Sequence, residues 1–180
     1  MTDLKIAVGI SDFEKIRSNG FYYVDKSGLI AELLKNSFAE VTLITRPRRF
    51  GKTLAMSMLA SFFDIRRQSR GYFEGLDIMN NPELCAAWMN QYPALFLTFK
   101  DVDGLDYASA KQMLRTQIAG LYGEHAYLKT SSNISENDRK VYEQLADVVD
   151  GAPTDAMLKT SIAALMRMMQ AHYGKPVILL

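Results

Sequence analysis

Apolar residues recur at helical spacing in five stretches of this chain and gather into short unbroken runs in three others. Ser27 can cap a helix whose apolar face is Ile30, Leu33 and Leu34, with Asn36 near its end. A second helix is expected to begin near Lys52 or Thr53 and to carry Leu54, Met58, Leu59, Phe62 and Phe63. A third spans Tyr107 to Tyr122, with Ala110, Met113, Leu114, Ile118 and Leu121 on one face. A fourth runs from Ser135 to Asp150, opening with Ser135 and Asp138 at capping-box spacing and stopping at Gly151. Its stripe is Val141, Tyr142, Leu145, Val148 and Val149. The fifth runs from Thr154 to Tyr173 through Met157, Leu158, Ile162, Leu165, Met166 and Met169, with Gly174 and Pro176 in stop order.

The unbroken runs read as strands. Val41 to Thr45 is β-branched, bounded by Pro47, and suits a strand buried on both faces. Ala94 to Lys100, ALFLTFK, and Pro176 to Leu180, PVILL, give two more. Leu128 to Glu136, LKTSSNISE, is polar and reads as a surface loop. Strands separated by helices need crossover connections, so the pattern predicts an α/β fold with a mostly parallel sheet and helices on both faces.

Composition changes this picture little. The chain has 180 residues, a net charge of +1 and 48% hydrophobic residues, the balance of an ordinary globular domain. The charge supplies no global field toward nucleic acid or anionic membrane, although a local basic cluster remains. One cysteine, Cys85, excludes an intrachain disulfide framework and fits a reducing compartment. No apolar run approaches the ~20 residues of a membrane span, and the first residues lack a signal-peptide pattern. A cytoplasmic protein without membrane partners is the expectation.

The candidate chemistry lies between the first strand and the second helix, in VTLITRPRRFGKT. A P-loop surrounds phosphates with backbone N–H groups at a helix start. Its lysine reaches the terminal phosphates and its Ser/Thr hydroxyl ligates magnesium. Gly51, Lys52 and Thr53 supply the second half of G-x-x-x-x-G-K-[ST], while Arg46 takes the place of the first glycine. GKT alone is a weak signal; a strand before it and an apolar helix after it strengthen it. Pro47 stiffens the loop and removes one N–H donor. Arg46, Arg48 and Arg49 have two readings that stand side by side. They contact phosphate directly, or they form a solvated basic turn that serves structure or a partner.

Gly9 to Leu34, GISDFEKIRSNGFYYVDKSGLIAELL, followed by LITRPRRFGKT, closely resembles the AAA-ATPase-like family of bacterial and archaeal proteins. The resemblance extends to FLTFKDVDG at Phe96 to Gly104 and to GKPVILL at Gly174 to Leu180, and so covers essentially the whole chain. RPRRFGKT is a form typical of that family. The resemblance implies a P-loop NTPase three-layer sandwich, incomplete in this chain, and binding of ATP with Mg2+. Arg46, Pro47, Arg48, Arg49, Phe50, Gly51, Lys52, Thr53 and Leu54 would hold the nucleotide. Lys52 is the candidate catalytic residue and Thr53 the candidate magnesium ligand.

Family members are commonly longer. After the strand matching PVILL they continue with an acidic Walker B segment, and a C-terminal PD-(D/E)XK nuclease-like domain often follows. Residues 1–180 are therefore expected to be one AAA-like domain, the N-terminal part of a longer protein, ending at the Walker B strand. Hydrolysis by this chain alone is expected to be negligible. The missing strands would come from a C-terminal segment or from another copy. The alternative is a module that binds nucleic acid or protein through the basic loop, without nucleotide chemistry.

Other residues carry less. Tyr22, Tyr23, Asp25 and Lys26 precede the first helix, in a region that lies near the adenine in related ATPases; packing at a core edge is the ordinary role of such tyrosines. Asp101, Asp103 and Asp106 read chiefly as turn formers. His125 and His172 lack partners at metal-ligand spacing. Cys85 lacks a nearby histidine, and Met157, Met166, Met168 and Met169 read as helix packing.

Overall fold

The computed structural model describes residues 5–35, 40–45, 47, 50–100, 102–147 and 153–180. Arg46, Arg48, Arg49 and Asp101 of the sequence-predicted set lie outside these residues, as do Asn36, Val148, Val149 and Gly151. The chain forms two compact units, Met1–Ala94 with Leu180, and Leu95–Leu179.

In the first unit, α1 (Phe13–Ser18) starts where the Asp12 carboxylate accepts the Lys15 N–H at 2.9 Å. It buries Phe13 and Ile16, one turn apart. Then come α2 (Gly28–Lys35), α3 (Lys52–Phe63), α4 (Arg70–Phe73), a 3-10 turn (Asp77–Asn80) and α5 (Pro82–Trp88). The core gathers on α3, whose Met58, Leu59, Phe62 and Phe63 are buried. Phe73 packs against Phe13 and Phe62 at 4.8 and 5.5 Å between ring centroids.

The end of α3 is held by Asn90, the one described non-glycine residue with positive φ. Its side-chain amide donates to the carbonyls of Ser61 and Asp64, and its own N–H donates to Phe62. Carbonyls that the helix leaves without intrahelical donors are met in this way.

In the second unit, α6 (Tyr107–Glu124), a 3-10 turn (Ala126–Thr130), α7 (Glu136–Ala146) and α8 (Asp155–Tyr173) surround a core that includes Leu95, Ile118, Tyr122, Tyr142, Leu145 and Leu165. The buried Tyr122 hydroxyl donates to the Ser161 carbonyl at 2.8 Å, and the Tyr142 hydroxyl donates to the Tyr122 carbonyl. Asp106, Ser135 and Thr154 cap α6, α7 and α8 with their side-chain oxygens, and Gly174 ends α8 at φ 65°. Two short strands, β1 (Ala94–Leu95) and β2 (Ile178–Leu179), pair in parallel.

The fold is thus mixed and rich in helix. Among the described residues the sheet has two strands, which is consistent with an incomplete α/β arrangement and narrower than the middle layer of a sandwich. Val41–Thr45 does not form the expected buried strand. It is assigned no strand, and Val41 and Leu43 are 86% and 84% exposed. β-branched composition favours a pleated surface only when a neighbouring strand and a covering layer are present, and none is placed there among the described residues.

The strand expected over Ala94–Lys100 is cut to Ala94–Leu95 for the same lack of partners. The expected surface loop at Leu128–Glu136 instead contains a helical turn and buries Leu128, Ser131 and Ile134. α7 ends at Ala146 rather than Asp150.

Candidate functional site

The local geometry of the loop follows from one glycine. Gly51 adopts φ 76°, ψ 26° and stands at the N-cap of α3, a left-handed conformation that residues with a Cβ enter only at a cost. The first α-helical bond there runs from the Ala55 N–H to the Gly51 carbonyl at 2.9 Å. Helix geometry aims the N–H groups of the first turn out of that end, and the helix dipole adds partial positive charge. No acidic residue occupies the first turn of α3. Lys52 and Thr53 are exposed in that turn, and Leu54 is half-buried behind them. Pro47 and Phe50 are also exposed, Phe50 at 58%.

Beside this turn lies a cavity of about 350 Å3, lined in part by Tyr22, Tyr23, Val24, Lys26, Phe50 and Gly51. The segment from Tyr22 to Lys26 and the GKT turn are therefore neighbours in space, although more than 20 residues apart in sequence. The Lys26 ammonium donates to the Phe50 carbonyl at 3.1 Å. The segment is pinned on both sides of that lysine. Asp25 accepts the N–H groups of Ser27 and Asp77 at 2.8 and 2.7 Å, and the buried Ser27 hydroxyl accepts the Ile78 N–H at 3.1 Å.

Electrostatics follow these contacts. Burial alone would raise the Asp25 carboxyl, but the amides of Ser27 and Asp77, the Ser27 hydroxyl and Arg17 outweigh it and hold the group below its ordinary value. Burial, and then the Asp25 charge, push the Tyr23 hydroxyl up to about 12. Tyr23 therefore stays neutral at physiological pH, with its hydroxyl 3.2 Å from the Met58 sulfur and its ring edge-on to Phe13.

A larger cavity, about 430 Å3, lies in the second unit among Val102, Tyr107, Lys111, Leu114, Asp155 and Leu158. Its lining is chiefly apolar, and Lys111 is already paired with Asp155. The smaller cavity is the better candidate because it adjoins a helix N-terminus with two exposed polar residues and a second lysine.

The remaining sequence candidates have structural surroundings. Asp106 accepts the Ser109 N–H at 2.7 Å as a helix cap. The buried His125 lies 3.1 Å from the Tyr127 hydroxyl, and His172 lies 2.7 Å from the Ser131 hydroxyl. Burial raises the Cys85 thiol, and its sulfur contacts the Ile78 carbonyl at 3.4 Å. Met168 and Met169 are fully buried in the second core. Among the described residues no group of three or more His, Cys, Asp or Glu could hold a metal. The Lys26–Phe50 contact joins residues 24 positions apart and has little signature in the sequence. Its only advance signal was the polar DKS run next to a pair of tyrosines.

The family described as "Predicted AAA-ATPase" matches residues 7–180. This chain belongs to the AAA-ATPase-like family. A protein of Azotobacter chroococcum mcd 1, described as "Uncharacterized protein in vnfD 5'region", is 33% identical over 100 residues. Those residues are 55% of this chain and 18% of that protein, so the match spans about a fifth of the relative's length. No solved structure matches. Membership carries nucleotide binding as the family's suggested property. Among the described residues no helix is long and apolar enough to cross a membrane.

Proposed function

We propose that this chain binds ATP with Mg2+ at the Arg46–Leu54 loop, as a modified P-loop of an AAA-like ATPase. The observation that carries the reading is Gly51 in the left-handed conformation at the start of α3, with exposed Lys52 and Thr53 in the first helical turn. Family membership and the adjoining cavity support it.

In this reading the amides from Gly51 to Leu54 hold phosphate oxygens, Lys52 neutralises the terminal phosphates, and the Thr53 hydroxyl ligates the magnesium. Arg46, Arg48 and Arg49 add positive charge beside the phosphates, with Pro47 and Phe50 shaping the turn. Tyr22, Tyr23 and Val24 offer apolar and aromatic surface for the base. The raised Tyr23 hydroxyl brings no negative charge toward the phosphates. These roles account for binding and charge neutralisation.

A thermal-shift screen of nucleotides tests the reading at low cost, because a ligand that binds only the folded state raises its melting temperature. ATP–Mg should raise it, and Lys52→Ala should abolish the rise. Absence of any shift at saturating ATP–Mg would argue against the site.

A further inference from the structure

We propose that Lys26 is a second phosphate-binding cation of this site, an inference that rests on the nucleotide-binding reading above. The ammonium lies at the shoulder of the GKT turn. It donates to the Phe50 carbonyl at 3.1 Å, and it stands 3.5 Å from where a Cβ on Gly51 would be. That places positive charge beside the residue whose left-handed turn opens α3. Lys26 also lines the cavity that adjoins the turn.

The backbone on either side is fixed, so the lysine is presented rather than left to wander. Asp25 is held by the N–H groups of Ser27 and Asp77, and Ser27 is fully buried with its hydroxyl on the Ile78 N–H. The nearest carboxylate in sequence is thereby turned to backbone amides. No ion pair with Lys26 occurs among the described residues.

An ammonium has three donors, and one neutral carbonyl uses one of them. Among the described residues Lys26 meets no second acceptor, which leaves its remaining donors and its charge to an anion arriving at the N-terminus of α3. Lys26 supports the turn through the Phe50 carbonyl. With a triphosphate present, phosphate oxygens become the stronger acceptors, because a charge-assisted hydrogen bond outweighs a neutral one.

The test is calorimetric titration of ATP–Mg into the wild-type chain and into Lys26→Met, Lys26→Gln, Lys26→Arg and Lys52→Ala, with urea midpoints measured on each without ligand. Gln keeps a donor for the Phe50 carbonyl but removes the charge; Arg keeps the charge. Lys26→Met and Lys26→Gln should each weaken ATP–Mg about ten-fold, the scale of one charge-assisted hydrogen bond, while Lys26→Arg stays within about three-fold of wild type. Urea midpoints should be unchanged in Lys26→Gln and Lys26→Arg, which both keep a donor for the Phe50 carbonyl. Wild-type affinity in Lys26→Gln would reduce the residue to a prop for the turn and overturn the proposal, as would equal losses in the Gln and Arg variants. If Lys26→Met binds like wild type while Lys52→Ala does not bind, this inference falls and the nucleotide-binding reading stands. If the wild-type chain binds no ATP–Mg, both fall together.

Discussion

Asp25 accepts the backbone N–H of Asp77 at 2.7 Å, joining residues 52 positions apart. The same carboxylate accepts the N–H of Ser27, so a single side chain fixes the segment that carries Tyr23 and Lys26 against the 3-10 turn Asp77–Asn80. Replacing Asp25 by Ala should cost about 1.5–3 kcal/mol of stability, the scale of hydrogen bonds to a charged acceptor. It should also weaken ATP–Mg by displacing Lys26. Urea unfolding and calorimetry on the same variant check both effects.

The Gly51 conformation makes a separate prediction. An added Cβ would meet only the flexible end of Lys26 at 3.5 Å, so space is not the obstacle. The obstacle is φ 76°. Gly51→Ala should therefore lose about 1–2 kcal/mol through backbone strain, with the turn shifting toward a right-handed helical extension. A shift of the urea midpoint, together with weaker nucleotide binding, is the expected result.

Acid should act on the second unit through Asp138. A hydrogen bond from Arg167, then one from Ser135, hold its carboxyl below the ordinary value against the opposing effect of burial. A depressed folded value stabilises the native state above the unfolded value near 3.8, and the contribution is lost as pH falls through the depressed one. Asp138→Asn should flatten the dependence of melting temperature on pH below about 4. Unchanged acid sensitivity in that variant would count against the assignment.

Leu145 tests the core of the same unit. It is 1% exposed among Tyr122, Tyr142 and Leu165. Leu145→Ala should cost about 2–4 kcal/mol through lost burial and a residual cavity. Ser135→Ala, which removes the oxygen that accepts the Asp138 N–H at 3.0 Å, should cost about 1 kcal/mol.

The helices were largely legible in the sequence. The cap at Ser135, the helix start at Thr154 and the stop at Gly174 stand where local chemistry predicts, because each acts on its own helix through neighbouring residues. Strands were less legible. Val41–Thr45 and Ala94–Lys100 carry β-branched or apolar runs, but strand formation depends on a partner that local composition does not specify. The short α1 and α5 and the segment around the buried Ile134 carry too few apolar positions to set a period in the sequence. At the site, the GKT turn was readable from its motif. The pinning of Lys26 by Asp25 and Ser27 was not, since it depends on amides 51 and 52 residues away.

Titration of ATP–Mg into the purified chain by calorimetry, with Lys52→Ala alongside, tests the central claim most directly. Saturable binding near one nucleotide per chain, weakened at least about ten-fold by the loss of the Lys52 charge, is the predicted result. No binding by the wild-type chain, or binding that Lys52→Ala leaves unchanged, would contradict it.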